Sequence, residues 1–131
     1  MDSVGRGRVI AGALCALAHA MPALSAPADS LAGFWSYLGG CARLKGVPPG
    51  AAGSEVTVLF SLRRDGSLLG QPRITHSHLI GSGEDQRAFI AASLGAVSRC
   101  LPAQITDGLG GAIAGRPLSL RLLSKKPERA L

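Results

Sequence analysis

The segment from Glu55 to Ser77 constrains the fold of this chain more than any other. Its first half alternates apolar with polar residues, and the apolar positions are Val56, Val58, Phe60 and Leu62. A period of two predicts a β-strand with one buried face. Leu59 is the exception, because it places an apolar side chain on the polar face. An alternative interpretation is that the strand is partly covered on both faces. The pattern therefore predicts a central strand.

A tight turn follows this strand at Arg64-Asp65-Gly66-Ser67. Asp-Gly between two apolar runs is a strong hairpin signal, because both residues tolerate the positive φ angles of tight turns. The second arm of the hairpin contains Pro72, which lacks the N–H that a central strand must donate. The second arm is therefore predicted to be an edge strand.

Residues 1–25 have the features of a secretory signal peptide. Two arginines precede a short apolar run over 9–18, and small residues follow it. This run is shorter than the roughly 20 residues that a membrane-spanning helix needs. Cleavage after Ser25 is favoured over cleavage after Ala20, and retention as a membrane anchor is the alternative. The chain is therefore expected to be exported.

The chain is basic, with a net charge of +6. Loss of Asp2, Arg6 and Arg8 with the signal peptide would lower this charge to +5, spread over the domain and the tail, 124–131. A basic surface favours anionic partners such as lipid headgroups or cell-wall polymers. A solvated surface without a dedicated partner is the simpler interpretation. Nucleic acid is not expected, because no aromatic-rich basic face accompanies the charge.

Three cysteines are present, and Cys15 belongs to the predicted signal peptide. Cys41 and Cys100 then remain as a pair in an exported chain. One interpretation is a disulfide that stabilises the domain by about 4 kcal/mol. The other is two buried thiols. The sequence has no Cys-x-x-Cys, so a redox enzyme has no support.

Apolar residues at helical spacing predict two helices, over 31–44 and 84–100. Ser82 and Asp85 resemble a capping box at the start of the second helix, and Asp85 lies where the helix dipole favours negative charge. The segment 103–116 is rich in glycine and is predicted to be a loop with at most one short turn.

A third strand is predicted over 117–123, where leucines alternate with polar residues. The side chains of Leu118, Leu120 and Leu122 are expected to face inward, and those of Ser119 and Arg121 outward. The element order is helix, strand, strand, helix, strand. It predicts an α+β fold, a two-layer sandwich with two helices on one face of a three-stranded antiparallel sheet.

The sequence shows no pattern that supports catalysis or cofactor binding. His76 and His78 form an incomplete metal site, because zinc takes at least three protein ligands. The glycines at 108–111 do not follow a strand and open a helix, as a nucleotide fingerprint requires. The acidic residues show no pairing suited to general acid–base chemistry. No enzyme activity, metal or cofactor is therefore expected.

Five short motifs occur in order along residues 31–123. They are VTVLFSL at 56–62, DGSL at 65–68, AASLGAV at 91–97, Leu101-Pro102 and GRPLSL at 115–120. In order and separation they resemble the C-terminal domain of the TonB/TolA family of envelope proteins of two-membrane bacteria. The TolA branch is the more similar, because its cysteines can bridge.

The resemblance implies that residues 26–123 form a non-catalytic, periplasmic protein-binding domain. Domains of this family bind an extended partner segment at a sheet edge, where main-chain hydrogen bonds give affinity. The third strand is the expected site, and its residues are Leu118, Ser119, Leu120, Arg121 and Leu122. The expected partner is an unidentified envelope protein. The alternative is a structural or surface-associating envelope protein that binds anionic lipid or polymer through its basic face.

Overall fold

Three antiparallel strands form one sheet, and the first strand of the chain lies at its centre. The computed structural model describes Gly12 and residues 26–125. The strands are β1 (Glu55–Phe60), β2 (Arg73–His78) and β3 (Leu118–Leu123), in the spatial order β2-β1-β3. Helices accompany this sheet, so the predicted α+β class and the central position of the first strand are confirmed.

The predicted signal peptide, its two cleavage positions and the tail beyond Lys125 lie outside the described residues. Within the part of the chain that the structure describes, no helix is long and apolar enough to cross a membrane.

The predicted hairpin turn is present between β1 and β2. The carboxylate of Asp65 accepts hydrogen bonds from the main-chain N–H of Ser67, at 2.9 Å, and from its hydroxyl, at 2.5 Å. These bonds lower the pKa of Asp65. Gly66 has a φ of 90°, and a Cβ atom there would overlap the carbonyl oxygen of Ala103. Both the backbone conformation and this close approach therefore require glycine.

The second strand lies at a sheet edge, as predicted from Pro72, which immediately precedes it. Its register shifts once, since Thr57 faces His76 whereas Val58 faces Ile74. Thr75 is therefore an extra residue on β2. Such bulges twist a strand locally and interrupt its ladder.

The first helix, α1 (Leu31–Cys41), is shorter than predicted. Ser30 caps it by accepting a hydrogen bond from the N–H of Gly33 at 3.1 Å. The helix ends directly after Gly39 and Gly40, which have low helix propensity. The second helix, α2 (Gly83–Arg99), begins at the predicted capping box.

The structure differs from the predicted loop at 103–116, because a third helix, α3 (Asp107–Ile113), forms there. The hydroxyl of Thr106 accepts a hydrogen bond from the N–H of Leu109 at 3.3 Å and caps this helix. The side chains of Leu109 and Ile113 lie one turn apart and are both buried. Their burial offsets the low helix propensity of the glycines between them.

The core lies between the helices and one face of the sheet. The predicted inward positions of the first arm, Val56, Val58, Phe60 and Leu62, are all buried. They pack with residues of the helices, among them Phe34, Leu38, Phe89 and Val97. On the opposite face Leu59 is only half-buried.

Cys41, the last residue of α1, and Cys100, which follows α2, form a disulfide. Their Cα atoms are 5.8 Å apart. The hydroxyl of Tyr37 also donates a hydrogen bond to the carbonyl oxygen of Cys100, at 2.6 Å. The disulfide interpretation of the cysteine pair is thus confirmed, and the alternative of two thiols is wrong.

Candidate binding site at the sheet edge

The predicted site residues Leu118, Ser119, Leu120, Arg121 and Leu122 all lie in β3, at the edge opposite β2. Leu118 and Leu122 are buried and Leu120 is half-buried, whereas Ser119 and Arg121 are exposed. The predicted inward and outward faces are therefore correct. The strand extends one residue further, to Leu123, whose side chain is 45% exposed.

The hydrogen bonds at the ends of the central strand show which way each main-chain group points. On the side of β3, the N–H of Ser124 donates to the carbonyl of Ser54 at 2.9 Å, and that of Gly115 donates to Leu62 at 2.9 Å. On the side of β2, the N–H of Leu69 donates to Ser61 at 2.9 Å. Hydrogen-bonding direction alternates along a strand. Residues of β1 with even numbers therefore bond to β3, and those with odd numbers bond to β2.

This alternation assigns the outer edge of β3. The partners of the even-numbered β1 residues are Leu118, Leu120 and Leu122, whose N–H and C=O groups point toward β1. The main-chain groups of Ser119, Arg121 and Leu123 point away from the sheet. Among the described residues, no hydrogen bond from another element reaches the main-chain N–H and C=O groups of these three residues. They form an uncovered row of donors and acceptors.

An ion pair fixes one side chain at this edge. The guanidinium of Arg121 donates two hydrogen bonds to the carboxylate of Glu55, the second of them, from Nη2 to Oε2, at 2.8 Å. Hydrogen bonding to Arg121 lowers the pKa of Glu55. The two residues lie on neighbouring strands, and Glu55 pairs directly with Leu123. Glu55 and Arg121 have opposite charge, and both occupy outward positions of predicted strands. This was the signal in the sequence that could have predicted the ion pair.

The ion pair predicts a pH dependence of stability. The ion pair lowers the pKa of Glu55 in the folded state. Its contribution to the free energy of unfolding is therefore complete above the pH range in which carboxylates ordinarily titrate, and it is lost as the pH falls below about 4. We expect a small loss, because both groups are solvent-accessible. Urea denaturation of the wild type and of Glu55→Gln would measure it. The difference between them should shrink between neutral pH and acid, and a constant difference would contradict the assignment.

The histidines face the same side of the sheet. His76 pairs with Thr57 and His78 pairs with Glu55, so both lie on the face opposite the core. Within residues 26–125, no cluster of three or more His, Cys, Asp or Glu side chains is placed to hold a metal ion. The histidines are exposed residues of an edge strand.

A separate cavity of about 520 Å³ lies between α1 and the segment that follows α2. Its lining residues are Ala26, Ala28, Gly33, Tyr37, Pro102 and Gln104. None of these side chains is a carboxylate, an imidazole or an amine. The described part of its lining therefore presents no acid–base pair and no group of metal ligands.

The fold defines the class of protein as an α+β domain, and within the described residues the main-chain groups at the outer edge of β3 are unpaired. Residues 24–126 match the family described as "Uncharacterised conserved protein UCP034077", and the chain belongs to this family. The match includes every helix and strand of the structure. No curated protein and no solved structure matches the chain.

Proposed function

We propose that this protein is a non-catalytic binding module of the cell envelope, and that its partner adds an extended segment to the outer edge of β3. One observation carries the proposal: the main-chain groups of Ser119, Arg121 and Leu123 point away from the sheet and meet no other described element. Main-chain hydrogen bonds at such an edge supply affinity, and alternate side chains supply selection.

The two edges of the sheet differ in how well they could accept a strand. β2 follows Pro72 and contains the bulge at Thr75. Proline and bulges are features with which proteins protect sheet edges from pairing. β3 pairs with β1 in continuous register over all six of its residues, from Leu118 to Leu123. We therefore assign binding to β3.

We further propose a periplasmic location. The Cys41–Cys100 disulfide supports an oxidising compartment, and the pattern of residues 1–25 supports export. The TonB/TolA resemblance adds the expectation of a partner in the envelope.

The edge proposal predicts that Ser119→Pro abolishes capture of the partner. Proline removes an N–H that points away from the sheet, so the ladder with β1 stays intact while the incoming strand loses a donor and meets the ring. We expect the captured amount to fall about tenfold or more, since a lost hydrogen bond and a steric clash together exceed about 1.4 kcal/mol. The measurement is quantitative mass spectrometry of proteins that copurify with the tagged full chain.

Ser77→Pro on β2 is the matched control. Ser77 pairs with Val56, whose main chain bonds to β3, so the N–H of Ser77 also points outward, but at the opposite edge. Capture should survive this change, and circular dichroism should show that both variants are folded. Equal capture by wild type and Ser119→Pro, lost only at high salt, would refute the edge proposal and favour association through the basic surface.

A further inference from the structure

A groove of about 500 Å³ runs beside the C-terminal half of β3. One wall consists of the end of α1 and the residues after it, and the other consists of Arg121, Leu122, Leu123 and Lys125. The groove therefore adjoins the part of the edge where Arg121 and Leu123 present their main-chain groups.

The charge of the groove has one sign. Arg43 and Lys125 line it, and no acidic residue does so among the described residues. Arg121 also lines the groove, but its guanidinium is bound to Glu55 on the other face of the sheet. Arg43 lies over the end of α1, where its Nε donates to the carbonyl of Gly40 at 3.4 Å. Arg99 adds a further guanidinium nearby, because its Nη2 donates to the carbonyl of Arg43 at 3.2 Å. Glu55 binds Arg121 from the exposed face of the sheet and does not line the groove.

A segment added to β3 would be placed against these cations. Neighbouring strands lie about 4.8 Å apart, and successive side chains of a strand point to opposite faces. Alternate side chains of the added segment would thus lie on the side of the helices, where the groove provides space beside Arg43 and Lys125. Carboxylates at those positions would meet opposite charge, whereas lysine or arginine would meet like charge.

We propose that the segment accepted by β3 is an acidic stretch of protein, with Asp or Glu at alternate positions where it passes Arg121 to Lys125. This inference rests on the proposed function, because it concerns the occupant of the same edge. Arg43 and Lys125 line a groove beside a strand whose outward main-chain groups can pair with an extended chain, and a flat lipid surface offers no such pairing.

The test uses the full chain and two fluorescent peptides, one of alternating glutamate and valine and one of alternating glutamine and valine. Fluorescence anisotropy would give their affinities for the wild type and for the double variant Arg43→Gln/Lys125→Gln. We expect the glutamate peptide to bind the double variant about five to ten times more weakly than the wild type, as expected for the loss of two exposed ion pairs. The glutamine peptide should bind both proteins equally.

The double variant Arg73→Gln/Arg87→Gln removes the same charge from exposed positions on β2 and α2 and should keep wild-type affinity. Ser119→Pro should abolish binding of the glutamate peptide, and Ser77→Pro should not. Equal binding of both peptides, lost in Ser119→Pro, would overturn the acidic preference and leave the edge proposal standing. Binding weakened equally by both charge variants and unaffected by Ser119→Pro would overturn the preference and the edge proposal together. Absence of binding by the glutamate peptide would overturn the proposed preference for an acidic segment. It would leave the edge proposal standing, since the capture experiment with Ser119→Pro tests that proposal separately.

Discussion

Loss of the Cys41–Cys100 disulfide is expected to lower the free energy of unfolding by about 4 kcal/mol. The two cysteines are 59 residues apart in sequence, so the bridge closes a long loop and removes many conformations from the unfolded chain. Domains of this size are typically stable by about 5–15 kcal/mol, so the bridge supplies a large share of the total. The double variant Cys41→Ala/Cys100→Ala is preferred to serine, because Cys100 is buried.

Urea denaturation would measure this loss, with the wild type in reductant as a matched comparison. The reduced wild type and the double variant should unfold at nearly the same urea concentration, because both lack the same covalent constraint. The single variant Cys41→Ala should behave like the double variant. A loss below about 1 kcal/mol would show that the unfolded chain is already compact, or that the hydrogen bond from Tyr37 to Cys100 holds α1 and α2 together without the bridge.

The second large effect is expected for Leu38→Ala, which should destabilise the domain by about 3 kcal/mol. Leu38 is completely buried in the core that α1 forms with the sheet and α2. Truncation removes apolar burial and leaves a cavity that the neighbouring side chains fill only in part. The free energy of unfolding from urea denaturation in non-reducing buffer is again the measurement.

Leu31→Ala is the control for this variant, because it makes the same substitution in the same helix. Leu31 is 42% exposed, so its truncation should cost about 0.5 kcal/mol or less. Similar losses in the two variants would contradict burial of Leu38 as the source of the effect. Leucine and alanine are both strong helix formers, so propensity alone predicts almost no change in either variant.

Several features of the fold followed from local patterns in the sequence. The period of two from Val56 to Leu62 identified the buried face of the central strand, and Asp65-Gly66 identified the turn. Pro72 predicted an edge strand, and β2 does lie at an edge, although it begins one residue after the proline. Ser82 and Asp85 fixed the start of α2, since a capping box involves only residues of one helical turn.

Other features depended on contacts between distant segments. The sequence left the pairing of Cys41 and Cys100 open, and the approach of the ends of α1 and α2 decided it. α3 was predicted as a loop, because its glycines disfavour a helix by themselves. Burial of Leu109 and Ile113 reverses that preference. Gly110 has no side chain, and this lets α3 pack closely against the carbonyl group of Arg64.

The sequence by itself determined that the strand at 118–123 exists and which of its side chains face the core, because alternation is a local property. The tertiary structure decided that the main chain of Ser119, Arg121 and Leu123 points outward, that Glu55 holds Arg121, and that Arg43 and Lys125 line the groove beside them. Register and the approach of one segment to another depend on packing across the whole domain, and no local pattern contains them.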